Sequence, residues 1–272
     1  MKKQVKIYRW RAPAAKYNNF GDELTIPLLR TLFGITAVPS SMREANLIAA
    51  GSILDAWTLR GRRREFLRGL ISFSRASDLH VWGSGFIKPE TTAEWPQRLH
   101  FHAVRGEMTA ARVGSSVALG DPGILASLIV DPATVKDAAV GLVLHHVDWA
   151  GFRRDAVPAS WKLINPQAPV EEVLRSIASC ELIVSSSLHG LITADAFQIP
   201  CIWARTEIAL YGGTNFKFHD YATARGRPFN NSVAYNAIIG TKLANLGDLS
   251  TTSARSIEDW QKELIAAFPG EV

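Results

Sequence analysis

Residues Glu181 to Pro200 read as one complete mechanical unit, and that unit dictates the architecture of the chain around it. Leu182 to Val184 form an apolar, β-branched run bounded by small polar residues, the signature of a strand buried on both faces of a parallel sheet. Leu188, Leu191, Ile192 and Ala196 then recur at helical spacing until Pro200 stops the helix just past Phe197. Ser185, Ser186, Ser187, His189 and Gly190 lie between strand and helix. A strand's carboxyl end turning into a helix's amino end gathers unpaired N–H groups and the positive end of a dipole, a setting that favours an anion. Gly190 is read as letting a ligand approach the backbone, and His189 as a group titrating near neutral pH. The competing reading is a capping serine followed by a histidine that only packs.

The same rhythm recurs along the chain. Val5–Trp10, Leu47–Ala50, Asp78–Trp82, His100–Val104 and Val117–Leu119 read as strands of a first half. Val140–Leu144, Trp161–Ile164, Leu182–Val184 and Cys201–Ala204 read as strands of a second. Helices are expected from about Thr25, after Arg105-Gly106-Glu107, over Val170–Cys180 and over Ser256–Phe268, whereas Thr214–Tyr221 reads as a loop. Alternating strands and helices imply a parallel α/β sheet in each half. At 272 residues the chain suits two compact domains, divided in the stretch Asp131–Asp137. The expected domains are residues 1–133 and 134–272, with the last helix a candidate to pack back on the first.

In open α/β sheets ligands sit at the carboxyl ends of the strands. That rule lines up Asn19, Gly21, Asp22, Gly51, Gly83, Gly85, Arg105 and Asp121 on one edge, and His146, Ser186, His189 and Gly190 on the other. Two facing edges make an interdomain cleft. Arg105 ends a buried strand and suits a planar carboxylate, or else it pairs with Glu107 or another neighbour. Lys217 is either a solvated loop lysine or an ammonium for phosphate. Asp22 is either a helix cap or a base that orients a hydroxyl. His145 and His146 lack a third ligand at metal spacing, so no metal is expected. Ser186 with His189 lacks the Gly-x-Ser-x-Gly elbow of a hydrolase.

Composition excludes several classes. Hydrophobic residues make up 47% and charged residues 20%, ordinary for a folded soluble chain, and no apolar run approaches the length of a membrane span. The amino terminus carries no signal-peptide pattern. The two cysteines, Cys180 and Cys201, sit in apolar surroundings, which fits a reducing cytoplasm. The net charge of +5 is partly local, in Arg60, Arg62, Arg63, Arg64 and Arg68 interleaved with Phe66, Leu67, Leu70, Ile71 and Phe73. This segment is either a solvated helix face or a docking face for the anionic inner surface of the plasma membrane. Nothing resembles a nucleic-acid-binding signature.

Six segments together resemble the polysaccharide pyruvyltransferase family, in particular its bacterial exopolysaccharide branch of succinoglycan-type ketal pyruvate transferases. They are Asn19–Leu24, Gly83–Phe86, His102–Gly106, Leu119–Gly123, Ser185–Leu191 with Ala194–Ala196, and Lys217–Tyr221. The resemblance implies a GT-B-like pair of Rossmann-type domains with the site between them. It also implies phosphoenolpyruvate as donor, no further cofactor, and a sugar diol of a glycan or lipid-linked oligosaccharide as acceptor, closed into a cyclic pyruvate ketal. By motif, His189 and Lys217 would hold the phosphate, Arg105 the carboxylate, and the Asn19–Asp22 segment would lie near the acceptor. His189 and Asp22 are the candidate acid and base. Ser186, Ser187, Gly190, Asn19, Gly21, Gly83 and Ser84 complete the expected binding set. The rivals are a nucleotide-sugar glycosyltransferase on the same fold and a non-catalytic glycan- or membrane-binding assembly protein.

Overall fold

A computed structural model describes residues 3–9, 19–57, 78–89, 99–131, 135–205, 215–229, 232–270 and 272. The basic segment Arg60–Phe73, Trp10 at the end of the expected first strand, and residues 132–134 within the expected domain boundary lie outside them.

The described residues of the first half form β1 (Gln4–Tyr8), α1 (Phe20–Glu23), α2 (Thr25–Phe33), β2 (Thr36–Pro39), β3 (Leu47–Ile48), β4 (Leu79–Trp82), β5 (Leu99–Val104), α3 (Glu107–Val113) and β6 (Ala118–Leu119). Two 3-10 segments, Leu54–Trp57 and Pro122–Leu128, follow β3 and β6. The second half forms β7 (Ala138–Val143), α4 (His146–Gly151), β8 (Trp161–Ile164), α5 (Val170–Ala178), β9 (Cys180–Ser185), α6 (Leu188–Ala196), β10 (Cys201–Arg205), α7 (Phe216–Ala224), β11 (Val233–Ala234), α8 (Tyr235–Ile239), α9 (Leu243–Leu249) and α10 (Ile257–Ala266).

Both sheets are parallel throughout, six strands in the order β2-β1-β3-β4-β5-β6 and five in the order β11-β10-β9-β7-β8 among the described residues. Counted within its own half, each sheet begins with the doubly wound order 2-1-3-4-5. In that order the chain reverses direction across the sheet between the first and third strands, which opens a crevice at their carboxyl ends. The crevices therefore fall between β1 and β3 in one lobe and between β7 and β9 in the other. Two such lobes facing each other make a GT-B-like α/β arrangement.

Sequence explains the main elements. The central strands β7 and β9 are buried along most of their length, as their unbroken apolar runs demand. α5 opens with Glu171 and Glu172 beside its positive amino end and turns Val173, Leu174 and Ile177 inward. It ends at Ala178 rather than Cys180, because Cys180 already begins β9. α2 restarts at Thr25 with Pro27 in its first turn, where no N–H is needed.

α6 is the exception that locates the interface. All nine of its residues are buried, so it has no polar stripe. One face packs on its own sheet, and Ile192 meets the Pro122–Leu128 segment of the first lobe so closely that a Cβ on Gly123 would stand 2.8 Å from it. A single core cluster accordingly runs through both lobes, from Val5, Leu28 and Ile124 to Ile183, Leu191 and Ile192. α10 adds a second tie. The Trp82 indole donates to the Leu264 carbonyl at 2.8 Å, and Gln261 Nε2 donates to the Ile124 carbonyl at 2.8 Å.

Three elements depart from expectation. Residues 216–224 are helical, so Lys217 belongs to α7 and not to a loop. Its pattern is hard to read because aromatic residues face two lobes at once: Phe218 stacks on Trp203 of the second, while Phe216 joins the first lobe's cluster. β2 is an exposed edge strand ending in Pro39, with no apolar run to mark it. Asp22 stands inside α1 rather than at its cap, which is Asn19.

Candidate functional site

The two crevices open into one cavity of about 310 Å³, lined from both lobes. Tyr8 comes from the end of β1, Asn19 and Asp22 from α1, Ser52, Ile53, Asp55 and Ala56 from the turn after β3, and Ile87 from the turn after β4. The second lobe supplies His145 and His146 after β7, Ser187, Leu188 and His189 after β9, and Lys217 from α7. Of the residues expected from sequence, Asn19, Asp22, Ser187, His189 and Lys217 meet on this wall.

The serine run divides its labour. Ser185 Oγ donates to the Val143 carbonyl at 2.7 Å and stitches β9 to β7. Ser186 Oγ donates to Asp148 at 2.6 Å and accepts from the His145 N–H at 2.9 Å, so it shapes the β7–α4 turn from behind the wall. Ser187 faces the cavity at the amino end of α6. Gly190 makes room for Ser185 rather than for a ligand, since a Cβ there would lie 2.3 Å from Ser185 Oγ. Gly21 makes room for the histidine: a Cβ would lie 2.1 Å from His189 Nδ1.

Gly83 and Ser84 also stand behind the wall. Gly83 takes φ of 87°, a backbone that L side chains rarely adopt, and a Cβ there would meet Pro122 at 2.3 Å. Ser84 Oγ donates to the Gly51 carbonyl at 2.7 Å and ties the ends of β3 and β4 together.

Arg105 corrects the sequence reading most sharply. Its side chain has no exposed surface, and it does not line the cavity. Nε donates to Asp220 at 2.9 Å, and the two terminal nitrogens donate to Ser52 Oγ and to the Phe86 carbonyl. Asp220 also accepts from the backbone and hydroxyl of Thr109, at 2.8 and 2.7 Å. The neighbour that claims Arg105 is thus Asp220 on α7, not Glu107. Gly106 permits the approach, because a Cβ would fall 1.8 Å from the Asp220 carbonyl oxygen. Two of the sequence motifs are therefore the halves of one buried lock between lobes. A third motif is locked within the second half alone: Asp195 receives two hydrogen bonds from Arg225, at 2.7 and 2.9 Å, and one from Tyr221 at 3.0 Å.

The electrostatics of the wall are set by burial. Burial brings the Lys217 ammonium down to about 8, with help from the Arg105 charge and against Asp22 and Asp148. Burial, then Lys217, His146 and His189, brings His145 to about 2, so this imidazole stays neutral. Burial also lowers His146, although Asp22 pulls it back. Asp22 is pushed above the usual carboxylate range by burial, opposed chiefly by His189 and by the 3.1 Å bond from Asn19. The cavity thus sets one buried ammonium, three imidazoles and a helix amino end against a carboxyl group whose proton is held unusually firmly. Such a wall can neutralise a small anion and move protons beside it.

Tyr8, Ser52, Asp55 and Ile87 were not singled out as site residues from sequence. Their signal is position alone, since Tyr8 ends β1 and the other three follow the carboxyl ends of β3 or β4. Cys180 and Cys201 are buried free thiols away from the cavity. No helix among the described residues is long and apolar enough to cross a membrane.

Comparison with known proteins agrees with this arrangement. The family model for polysaccharide pyruvyl transferase matches residues 2–206. The succinoglycan biosynthesis protein ExoV of Rhizobium meliloti (strain 1021) is 28% identical over 233 residues, covering 82% of this chain and 65% of that protein. The uncharacterized protein L143 of Acanthamoeba polyphaga mimivirus is 29% identical over 156 residues, covering 53% of this chain and 54% of its own length. The chain therefore spans less than two thirds of either relative. The family match takes in β1 to β10 and all the cavity-lining residues except Lys217, and by it the chain belongs to the polysaccharide pyruvyl transferase family.

Proposed function

We propose that the chain transfers pyruvate from phosphoenolpyruvate to a sugar diol of an exopolysaccharide repeat unit, closing a cyclic ketal. The observation that carries this reading is the pairing of Lys217 and His189 with the amino end of α6 on one wall of a cavity shared by two switch points. Phosphoenolpyruvate is small and carries a phosphate and a carboxylate on adjoining atoms. It needs two anion grips and a proton source rather than a large groove.

Lys217, His189 and the α6 amino end hold the phosphate. The carboxylate lies towards the first lobe, where Arg105 acts through Ser52. That hydroxyl accepts from the guanidinium and keeps its own proton to donate into the cavity. This replaces the direct Arg105–carboxylate contact expected from sequence.

His189 protonates the methylene carbon, which leaves cationic character on the adjacent carbon. A sugar hydroxyl adds there and gives up its proton to Asp22. Phosphate departs with the electrons of its C–O bond and takes the proton held by Asp22, and the second hydroxyl closes the ring and returns its proton to His189. The net change to the acceptor is the elements of pyruvate less one water. Positioned acid–base groups contribute ~10²–10⁴-fold, whereas alignment of bound reactants can contribute ~7–11 kcal/mol, so the grips outweigh either proton carrier. The acceptor is a glycan or lipid-linked oligosaccharide met at the cytoplasmic side of the membrane, with the Arg60–Arg68 segment as its point of contact.

Mass spectrometry of an oligosaccharide acceptor after incubation with phosphoenolpyruvate tests the reading. Gain of pyruvate less water with release of phosphate supports it. Gain of a hexose from a sugar nucleotide, or glycan binding without phosphate release, refutes it.

The Lys217 shift adds a pH prediction. The ammonium is the form that grips phosphate, and the free protein holds it below about 8 and loses it as pH rises through that value. The kcat/KM for phosphoenolpyruvate should therefore fall about tenfold per pH unit above that point. Lys217→Arg keeps its charge throughout and should flatten this limb, whatever it costs in absolute rate. An unchanged limb in the arginine variant would remove Lys217 from the phosphate site.

A further inference from the structure

Two buried polar atoms in this molecule face each other across the lobe boundary without a hydrogen-bond partner. His189 Nε2 and Asp121 Oδ2 are 3.7 Å apart, and each lacks exposed surface and any bond within normal range. An unsatisfied buried carboxylate oxygen is costly, so the nearest complementary donor is its natural partner. The two residues come from different lobes, so their facing does not follow from one element's local geometry.

Asp121 is not free to look elsewhere. It caps the Pro122–Leu128 segment, with Oδ1 accepting from the Gly123 N–H at 2.9 Å, which directs Oδ2 outward. Behind it, Trp260 Nε1 donates to the Leu119 carbonyl at 2.6 Å and fixes the strand end from which Asp121 emerges. His189 is held as firmly. Its ring fills the space left by Gly21 and meets Phe20 edge-on at 6.4 Å between centroids. Asp22 on α1 and His145 at the end of β7 also lie within electrostatic reach of the ring.

We infer that Asp121 is a positioning residue for His189: across the lobe boundary its Oδ2 holds the Nε2–H, which fixes the tautomer and leaves Nδ1, on the Gly21 side of the ring, as the nitrogen that takes and gives a proton. A carboxylate only accepts, so a neutral ring beside it keeps its single proton on Nε2. The carboxylate also stabilises the imidazolium when Nδ1 carries the proton to be delivered. The consequence for catalysis rests on the pyruvyl-transfer reading, whereas the tautomer does not.

Asp121→Asn separates positioning from folding. Asparagine keeps the oxygen that caps Gly123 and is an equally good cap. It replaces Oδ2 with an N–H₂ group, which can only donate to Nε2 and so drives the ring proton to Nδ1. The experiment is ¹⁵N NMR of the histidine rings in the full chain at a pH above the histidine range, with His189 assigned by the loss of its signal in His189→Gln. The expected result is an Nε2–H tautomer in the natural protein, an Nδ1–H tautomer in Asp121→Asn, and unchanged unfolding of the variant in urea. Transfer from phosphoenolpyruvate should then drop ~10²–10⁴-fold. A His189 that keeps the same tautomer in both proteins overturns the inference. The tautomer switch without pyruvyl transfer by the natural protein would uphold the Asp121–His189 coupling and sink the assigned reaction instead.

Discussion

Replacing His189 with alanine is expected to cut pyruvyl transfer by about 10³-fold or more while leaving the fold in place. Two losses combine in that figure. In the proposed reaction the ring is a proton carrier, and such groups typically contribute ~10²–10⁴-fold. It is also a proposed phosphate contact, and hydrogen bonds to charged groups are worth ~1.5–3 kcal/mol. The fold should survive because the ring occupies the cavity wall, while Leu188, Leu191 and Ile192 of the same helix carry the packing. Initial rates of phosphate release, read beside a urea unfolding curve, provide the check. Turnover within about tenfold of the natural protein would remove His189 from the chemistry.

Asp220→Ala should have the largest effect on stability, a loss of ~3–5 kcal/mol in urea unfolding. The substitution strands the Arg105 guanidinium, which has no exposed surface, with only Ser52 and the Phe86 carbonyl for partners. It also removes two bonds to Thr109. Removing both charges should be far milder than removing one, because no buried ion then remains. The double variant Arg105→Met with Asp220→Ala is therefore expected to recover most of the loss. If Asp220→Ala cost less than about 1 kcal/mol, the pair would not be the inter-lobe lock described above. Activity should fall as well, since Lys217 sits one helical turn before Asp220 on α7.

The parts of this molecule that could be read from its sequence are those governed by local periodicity. The run Leu182–Val184 followed by Leu188, Leu191, Ile192 and Ala196 announced β9 and α6, and Pro200 marked the stop. Strand ends follow from glycine and serine punctuation, which sets Asn19 and Asp22 on one edge and His189 on the facing one; Lys217 joins them only through the family resemblance.

What could not be read depends on contacts between the lobes. Arg105 resembles a ligand clamp because it ends a buried strand beside a glycine, yet Gly106 exists for the close approach of α7. Only the position of Asp220, 115 residues further along the chain, decides between the two readings. α7 reads as a loop in the sequence because its aromatic residues are shared between two surfaces rather than gathered on one stripe. Gly190 reads as a ligand's doorway because sequence cannot show Ser185 folded back beneath it. The order of strands within each sheet, and hence the alignment of two switch points, is likewise a matter of topology and not of pattern.

Calorimetric titration with phosphoenolpyruvate tests most directly whether one cavity grips a small anion through Lys217 and His189. The natural protein should bind phosphoenolpyruvate near neutral pH, and Lys217→Ala should bind it at least about tenfold more weakly through loss of a charge-assisted contact. Equal affinity in the two proteins, or saturable binding of a sugar nucleotide with none of phosphoenolpyruvate, would contradict it.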